Sequence, residues 1–417
     1  MSKEKVKECF NKLVNQKTKY KEVPEFFPDG KYEGIKAITY DGLLIDGKKT
    51  KVFAYLGMPK SCGEKSKAIV LVHGGGGHAF LEWVKMWNDR GYVAIAMNTV
   101  GGFPTIKNAW VTETGKDKDE YELKLNGVFA EDGYVEVPST EYMATPNESL
   151  EKQAFTHAIA SFILGANIIF DLPNVDKSKV GITGISWGGV ITTAVLGFDD
   201  RFAFAIPTYG SAFLGESYAD MWLNVYKHEK NRDLWSLENY LCGCKIPILW
   251  LCWNDDSCFS INSNSKSYLL TEKNNSKTLL SIVDKMYHSH IDGWARPEIY
   301  AYAESIINNG FSLTRIKGDY ANRKVVLDLE VDKKVDKTKI QAKIYYITSK
   351  IKYCSRIKYI YQKPLKFMEQ DWLTKDLSCD GSRVKGGIPV DAYSYYIEVK
   401  TVHDGKEYVT TTPVINF

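Results

Sequence analysis

Apolar residues run almost unbroken through KAIVLVH (67–73) and YVAIAMN (92–98). Runs of that length fit strands buried on both faces of a parallel sheet. Between them, AFLEWVKMWNDRG (79–91) places its apolar residues at helical spacing and stops at a glycine. The alternation resumes downstream. SLEKQAFTHAIASFILGANIIF (149–170) predicts one long helix with Ser149 as its N-cap, and KVGITGIS (179–186) predicts a strand entering a helix from 187. FAFAIPTYG (202–210), IPILWLCW (246–253) and TLLSIVDKM (278–286) read as further strands. Residues 261–273 and 296–308 read as helices, the latter with Pro297 in its first turn. Upstream, residues 1–20 suggest a short amphipathic helix, and 31–57 alternate as strands joined by turns at Asp41-Gly42 and Asp46-Gly47.

Strands alternating with helices over 67–309 imply an α/β fold, a doubly wound and mostly parallel sheet. After Gly310 the helical period disappears. KVVLDLEVD (324–332), IQAKIYYITS (340–349), SYYIEVKTV (394–402) and KEYVTTTPVI (406–415) alternate with period 2, the pattern of a small antiparallel β-sandwich. The expected division is therefore 1–310 and 311–417. Residues 101–148 are polar and weakly periodic, which reads as a loop or lid insertion in the first part.

Composition narrows the classes. Hydrophobic residues at 44 % and charged residues at 25 % are those of a globular chain. The net charge of +3, with scattered lysines, argues against a nucleic-acid or anionic-membrane partner. The charged N-terminal stretch has no apolar signal region, and no apolar run is expected to reach the roughly 18 residues of a membrane span. Eight cysteines without such a signal read as reduced thiols of a cytoplasmic protein. Cys242-Gly-Cys244 has the wrong spacing for zinc, so no metal is expected.

The chemistry begins at Gly184-Ile-Ser-Trp-Gly188. Glycines on both sides of a serine, after a strand and before a helix, fit a tight turn that exposes a nucleophile. The loop His73-Gly-Gly-Gly-Gly77 follows a buried strand, so backbone N–H groups of Trp187 and of Gly75 or Gly76 suit an oxyanion hole. Next in order come Asp255 and Asp256 at one strand end, then His288 and His290 at another. Serine, acid and histidine in that order are the parts of an α/β-hydrolase triad, with one member of each doublet serving. Trp187, Trp253 and Trp294 lie beside these positions; Trp253 and Trp294 are candidates for a substrate wall.

The stretches LVHGGGGHAFLEWVKMWNDRGYVAIAMN, VDKSKVGITGISWGGV, WLCWNDDSCFSI and MYHSHIDGWARPEIYAYAE resemble α/β-hydrolase esterases of the acetyl xylan esterase and dienelactone hydrolase-like type, over roughly 67–309. The resemblance carries Ser186 over as nucleophile. It puts the acid on Asp256, with Asp255 as alternate because Trp253 and Ser260 depart from the family's glycine and proline. It favours His288 as base over His290. It implies acetyl ester hydrolysis, with acetylated xylo-oligosaccharides as substrates, no cofactor, and a homo-oligomer left open. A prolyl-oligopeptidase-like peptidase shares the triad order, but no propeller repeat precedes it. A non-catalytic binding protein on this fold is the remaining alternative. Trp372 is the one pointer to carbohydrate in the tail.

Overall fold

The computed structural model describes residues 2–24, 32–60, 63–102, 134–138, 143–145, 147–219, 222, 225–321, 323–354 and 364–417. The chain opens with α1 (Lys3–Val14), capped by the Ser2 hydroxyl, which accepts from the Lys5 N–H. β1 (Tyr20–Glu22), β2 (Ile35–Asp41) and β3 (Lys51–Gly57) then form an antiparallel set. The strand–helix alternation starts with β4 (Ser66–Val72), α2 (Leu81–Asn88) and β5 (Val93–Met97). It continues with α3 (Ala154–Asp171), β6 (Val175–Ile185), α4 (Trp187–Val195) and β7 (Phe204–Thr208). Two short helices, α5 (Glu229–Trp235) and α6 (Glu238–Leu241), precede β8 (Leu249–Trp253), α7 (Ile261–Thr271) and β9 (Leu279–Val283). Then come α8 (His290–Ala295) and α9 (Pro297–Ile307).

These strands form one nine-stranded sheet in the order β1-β2-β3-β5-β4-β6-β7-β8-β9. Every neighbouring pair from β5 to β9 is parallel. The parallel strands are buried along nearly their whole length, which is why their sequences read as apolar runs rather than alternations. β6 lies in the interior of the sheet between β4 and β7, and its C-terminal end opens where ligands bind in sheets of this kind. α3 is long and apolar enough by composition to cross a membrane, contrary to the expectation from the sequence; 94 % of its apolar window is buried inside the protein, packed in the core.

The remaining strands are β10 (Arg315–Gly318), β11 (Lys324–Glu330), β12 (Gln341–Ile347), β13 (Leu373–Cys379), β14 (Arg383–Gly387), β15 (Ser394–His403), β16 (Lys406–Thr411) and β17 (Ile415–Asn416). All their pairings are antiparallel, in the order β10-β11-β14-β13-β12-β15-β16, with β17 on β15. The first residues of β13 pair with β12 and its last two with β14, so this strand joins the two faces. β16 lies beside β9, the last strand of the parallel sheet. There the Ser281 hydroxyl donates to the Val409 carbonyl at 2.7 Å and the Ile282 N–H donates to Thr411 Oγ1 at 3.2 Å.

Several elements differ from the sequence reading. The single helix expected from 149 is interrupted: a 3-10 turn (Leu150–Lys152) ends at Gln153, whose extended backbone restarts the chain as α3, and Ser149 makes no side-chain cap bond. Gln153 is fully buried, and its amide meets the Thr145 and Glu148 carbonyls and the Trp235 indole N–H. Satisfying that buried amide outweighs one more helical turn. The expected 101–148 lid lies mostly outside the described residues, since 103–133 and 139–142 are not among them. Trp372 packs between Phe367 and Tyr396 rather than standing free.

Candidate active site

Ser186 sits between β6 and α4 with φ 57° and ψ −114°, a conformation that a side-chain-bearing residue rarely adopts. The strain is held by close packing. A Cβ on Gly188 would lie 2.1 Å from the Val72 carbonyl oxygen, and one on Gly184 would lie 2.1 Å from that of Gly188. Only glycine lets α4 start this close to β4. The Ser186 N–H is fixed by the Thr208 carbonyl at 2.8 Å.

Two further strand ends converge on this serine. Ser186 Oγ lies 2.8 Å from His288 Nε2, and His288 Nδ1 lies 2.8 Å from Asp256 Oδ2. A carboxylate only accepts, so Nδ1 carries the proton and Nε2 presents its lone pair to the serine hydroxyl. The Asp256 side chain is completely buried. Its other oxygen accepts from the backbone N–H groups of Cys258 at 2.7 Å and Phe259 at 2.8 Å. The imidazole is flanked by rings: Tyr209 stacks at 4.5 Å and Phe259 at 6.2 Å. The Tyr209 hydroxyl donates to the Tyr287 carbonyl. Burial, reinforced by the Asp256 charge, pushes the Tyr209 phenol well above its ordinary range, so it stays a neutral donor.

The glycine loop is a tight turn closed by the Gly77 N–H on the Gly74 carbonyl at 3.0 Å, with Gly76 at φ 71°. His73 braces it: Nδ1 lies 2.7 Å from the Gly74 carbonyl and Nε2 accepts from the Thr99 N–H at 3.1 Å. Both contacts suit the neutral ring, and burial depresses its pKa to about 3. Thr99 also accepts from the Trp187 indole N–H at 3.2 Å, tying the loop to the residue after the nucleophile. A Cβ on Gly75 would stand 3.9 Å from that of Trp187. The Gly75 and Trp187 backbone N–H groups have no acceptor among the described residues; Trp187 opens α4, where the first turn of a helix leaves its N–H groups unpaired.

The structure brings Ser186, His288 and Asp256 into one line and separates the other member of each doublet. His290 accepts from the Gly74 N–H, and Asp255 accepts from the Glu369 N–H in the connection between β12 and β13. Trp253 stands 5.5 Å from the exposed ring of Tyr287. Trp294, partly buried, instead packs against the buried rings of Phe80 at 5.3 Å and Trp83 at 5.7 Å. Asp256, Cys258 and His288 offer three ligand atoms within 4.8 Å of one another, but the aspartate and the imidazole are engaged with each other. Sequence reasoning gives Tyr209 no role and His73 none beyond opening the glycine loop; the signal the two share is that each directly follows a buried strand.

A strained serine at the centre of a parallel sheet, backed by a histidine and a carboxylate from later strand ends, defines an α/β-hydrolase. Structural comparison agrees. An acetyl xylan esterase from Paenibacillus sp. R4 superposes with TM-score 0.51 at 15 % identity, covering 73 % of this chain and 94 % of that one. The chain belongs to the acetyl xylan esterase family, whose model (AXE1) matches residues 4–222. Acetyl xylan esterase 1 from Thermoanaerobacterium sp. JW/SL YS485 gives TM-score 0.47 at 16 % identity, covering 73 % of this chain and 94 % of that one. An acylaminoacyl peptidase from Pyrococcus horikoshii gives 0.45 at 18 %, covering 65 % of this chain and 41 % of that one. No curated protein matches the sequence.

Proposed function

We propose that this esterase-family hydrolase is a serine esterase acting on short-chain, acetyl esters through an acyl-enzyme. The observation that carries the reading is the hydrogen-bonded line from Ser186 Oγ through His288 to Asp256, 2.8 Å at each step. The serine Oγ attacks the ester carbonyl while its proton passes to His288 Nε2. Negative charge collects on the former carbonyl oxygen, where the Gly75 and Trp187 N–H groups stabilise it by about 3 kcal/mol each. The new C–O bond holds as the alcohol leaves with the proton from Nε2. Water then gives its proton to Nε2 and its oxygen to the acyl carbon, and acetate departs as Oγ recovers the proton. Asp256 keeps the imidazole in the productive tautomer and stabilises its cation.

Acetylated sugars are the substrate class the family favours, and the Trp253–Tyr287 aromatic pair beside the base suits stacking on a sugar ring. The test is hydrolysis of p-nitrophenyl acetate and of acetylated xylo-oligosaccharides, with fluorophosphonate labelling in parallel. Wild type is expected to label and turn over, and Ser186→Ala to do neither. A folded wild type that resists labelling defeats the reading. Rapid turnover of peptide amides instead of esters moves the substrate class.

A further inference from the structure

The chain between β12 and β13 returns from the C-terminal sheet to the parallel sheet and meets the acid loop after β8. Asn254, Asp255 and Asp256 are consecutive, yet they face different partners. The Asn254 amide donates to the Tyr396 hydroxyl at 3.2 Å and to Asp284 at 3.3 Å. Asp255 takes the Glu369 N–H. Glu369 itself holds φ 59°, a left-handed backbone in a non-glycine residue, of the kind retained only where its surroundings enforce it.

The other side of Asp256 is held as well. Cys258, whose N–H donates to the Asp256 carboxylate, accepts through its carbonyl from the Tyr218 N–H at 2.8 Å and the Ser217 hydroxyl at 2.7 Å. The Tyr218 hydroxyl donates to the Leu365 carbonyl and accepts from the Phe367 N–H at 2.8 Å. Tyr218 also buries itself against Cys354 and Met368. Polar contacts from the C-terminal region therefore grip the acid loop before and after the aspartate.

We infer that the C-terminal region, through the β12–β13 connection and Tyr396 of β15, is a positioning element of the active site: by way of Asp255 and Tyr396 on one side and Tyr218 on the other, it fixes the loop that aims Asp256 at His288. Asp255 is then a positioning residue, not a spare acid. The inference rests on Asp256 serving as the acid. A short loop with only its own backbone bonds samples other geometries, and a carboxylate misplaced by about 1 Å costs up to about a hundredfold in rate.

The experiment is steady-state hydrolysis of p-nitrophenyl acetate by the full chain. Asp255→Ala is expected to lower kcat about tenfold with KM unchanged. Asp255→Asn keeps an acceptor for the Glu369 N–H and is expected to restore kcat. Tyr396→Phe, which removes the bond to Asn254 without touching Asp255, is expected to lower kcat less. Wild-type kcat in both Asp255→Ala and Tyr396→Phe overturns the inference. So does an Asp255→Asn variant as slow as Asp255→Ala, because charge rather than the bond would then matter. Asp256→Asn, run alongside, separates the two levels: if it stays active, the assignment of the acid itself has failed.

Discussion

The backbone N–H of Gly74 donates to Nε2 of His290 at 2.7 Å, across 216 residues of chain. The second histidine of the His-x-His motif is thus committed to the glycine loop while the first meets Ser186. A Cβ on Gly74 would lie 2.9 Å from that Nε2, so the ring fills the space glycine leaves. With Gly74 and Gly77 occupied, Gly75 and Gly76 are the loop glycines whose N–H groups have no acceptor among the described residues.

Replacing His290 tests this division. His290→Ala is expected to loosen the loop and lower kcat by up to about a hundredfold, near the effect of losing one oxyanion donor, with little change in KM. His290→Gln, able to accept from Gly74, is expected to recover part of the rate. Steady-state kinetics with p-nitrophenyl acetate checks both, and burst kinetics shows whether acylation is the step that slows.

Gly188→Ala drives a methyl group into the backbone of β4. The cost is about 3 kcal/mol or more, because the obstructing atoms are carbonyl oxygens that cannot rotate away. Gly243→Ala meets open space and is expected to change stability by less than about 0.5 kcal/mol. Urea unfolding of the two variants against wild type makes the comparison.

His73 sets a pH dependence of stability. Its pKa is about 3 in the folded protein against 6.5 as the reference value. The unfolded chain therefore takes up this proton first. The stabilisation from keeping the ring neutral is complete above 6.5 and is lost progressively as pH falls toward 3. The slope from this one group approaches about 1.4 kcal/mol per pH unit. His73→Asn is expected to be less stable at pH 7 but flatter with pH. Urea melts from pH 7 to pH 4 measure the difference in slope.

Glu298 joins the two sheets. It is fully buried in the first turn of α9 and accepts from the Val409 N–H at 2.8 Å and from both Arg296 donors at 2.8 and 3.0 Å. Glu298→Ala leaves a buried N–H and a guanidinium without their acceptor and is expected to destabilise by about 3–5 kcal/mol. Glu298→Gln, which keeps one acceptor, should cost less. Thermal and urea unfolding report the order.

What the sequence disclosed follows from where each signal lives. The parallel strands were readable because burial on both faces writes an apolar run into five to seven consecutive residues. The active-site positions were readable because they sit just past those runs. β13 and β14 escaped notice because most of their residues are exposed, leaving too few apolar positions to show alternation. α8 has six residues and begins inside the His-x-His motif, so its period is too short to detect. The roles within each doublet were unreadable for a different reason. Asp255 and Asp256 are adjacent letters with the same chemistry. The partners that assign their roles lie 114 and 32 residues away, Glu369 and His288.

β9 is the margin of the parallel sheet, and its five residues are all buried. An open margin of that kind is a template for pairing with other chains. Here Thr411 occupies the Ile282 N–H and β16 lies along the strand. Cutting the gene after α9 would thus not release a tidy catalytic unit. It would strip the cover from a sticky border and invite self-association, so the two halves are expected to be inherited and expressed as one piece.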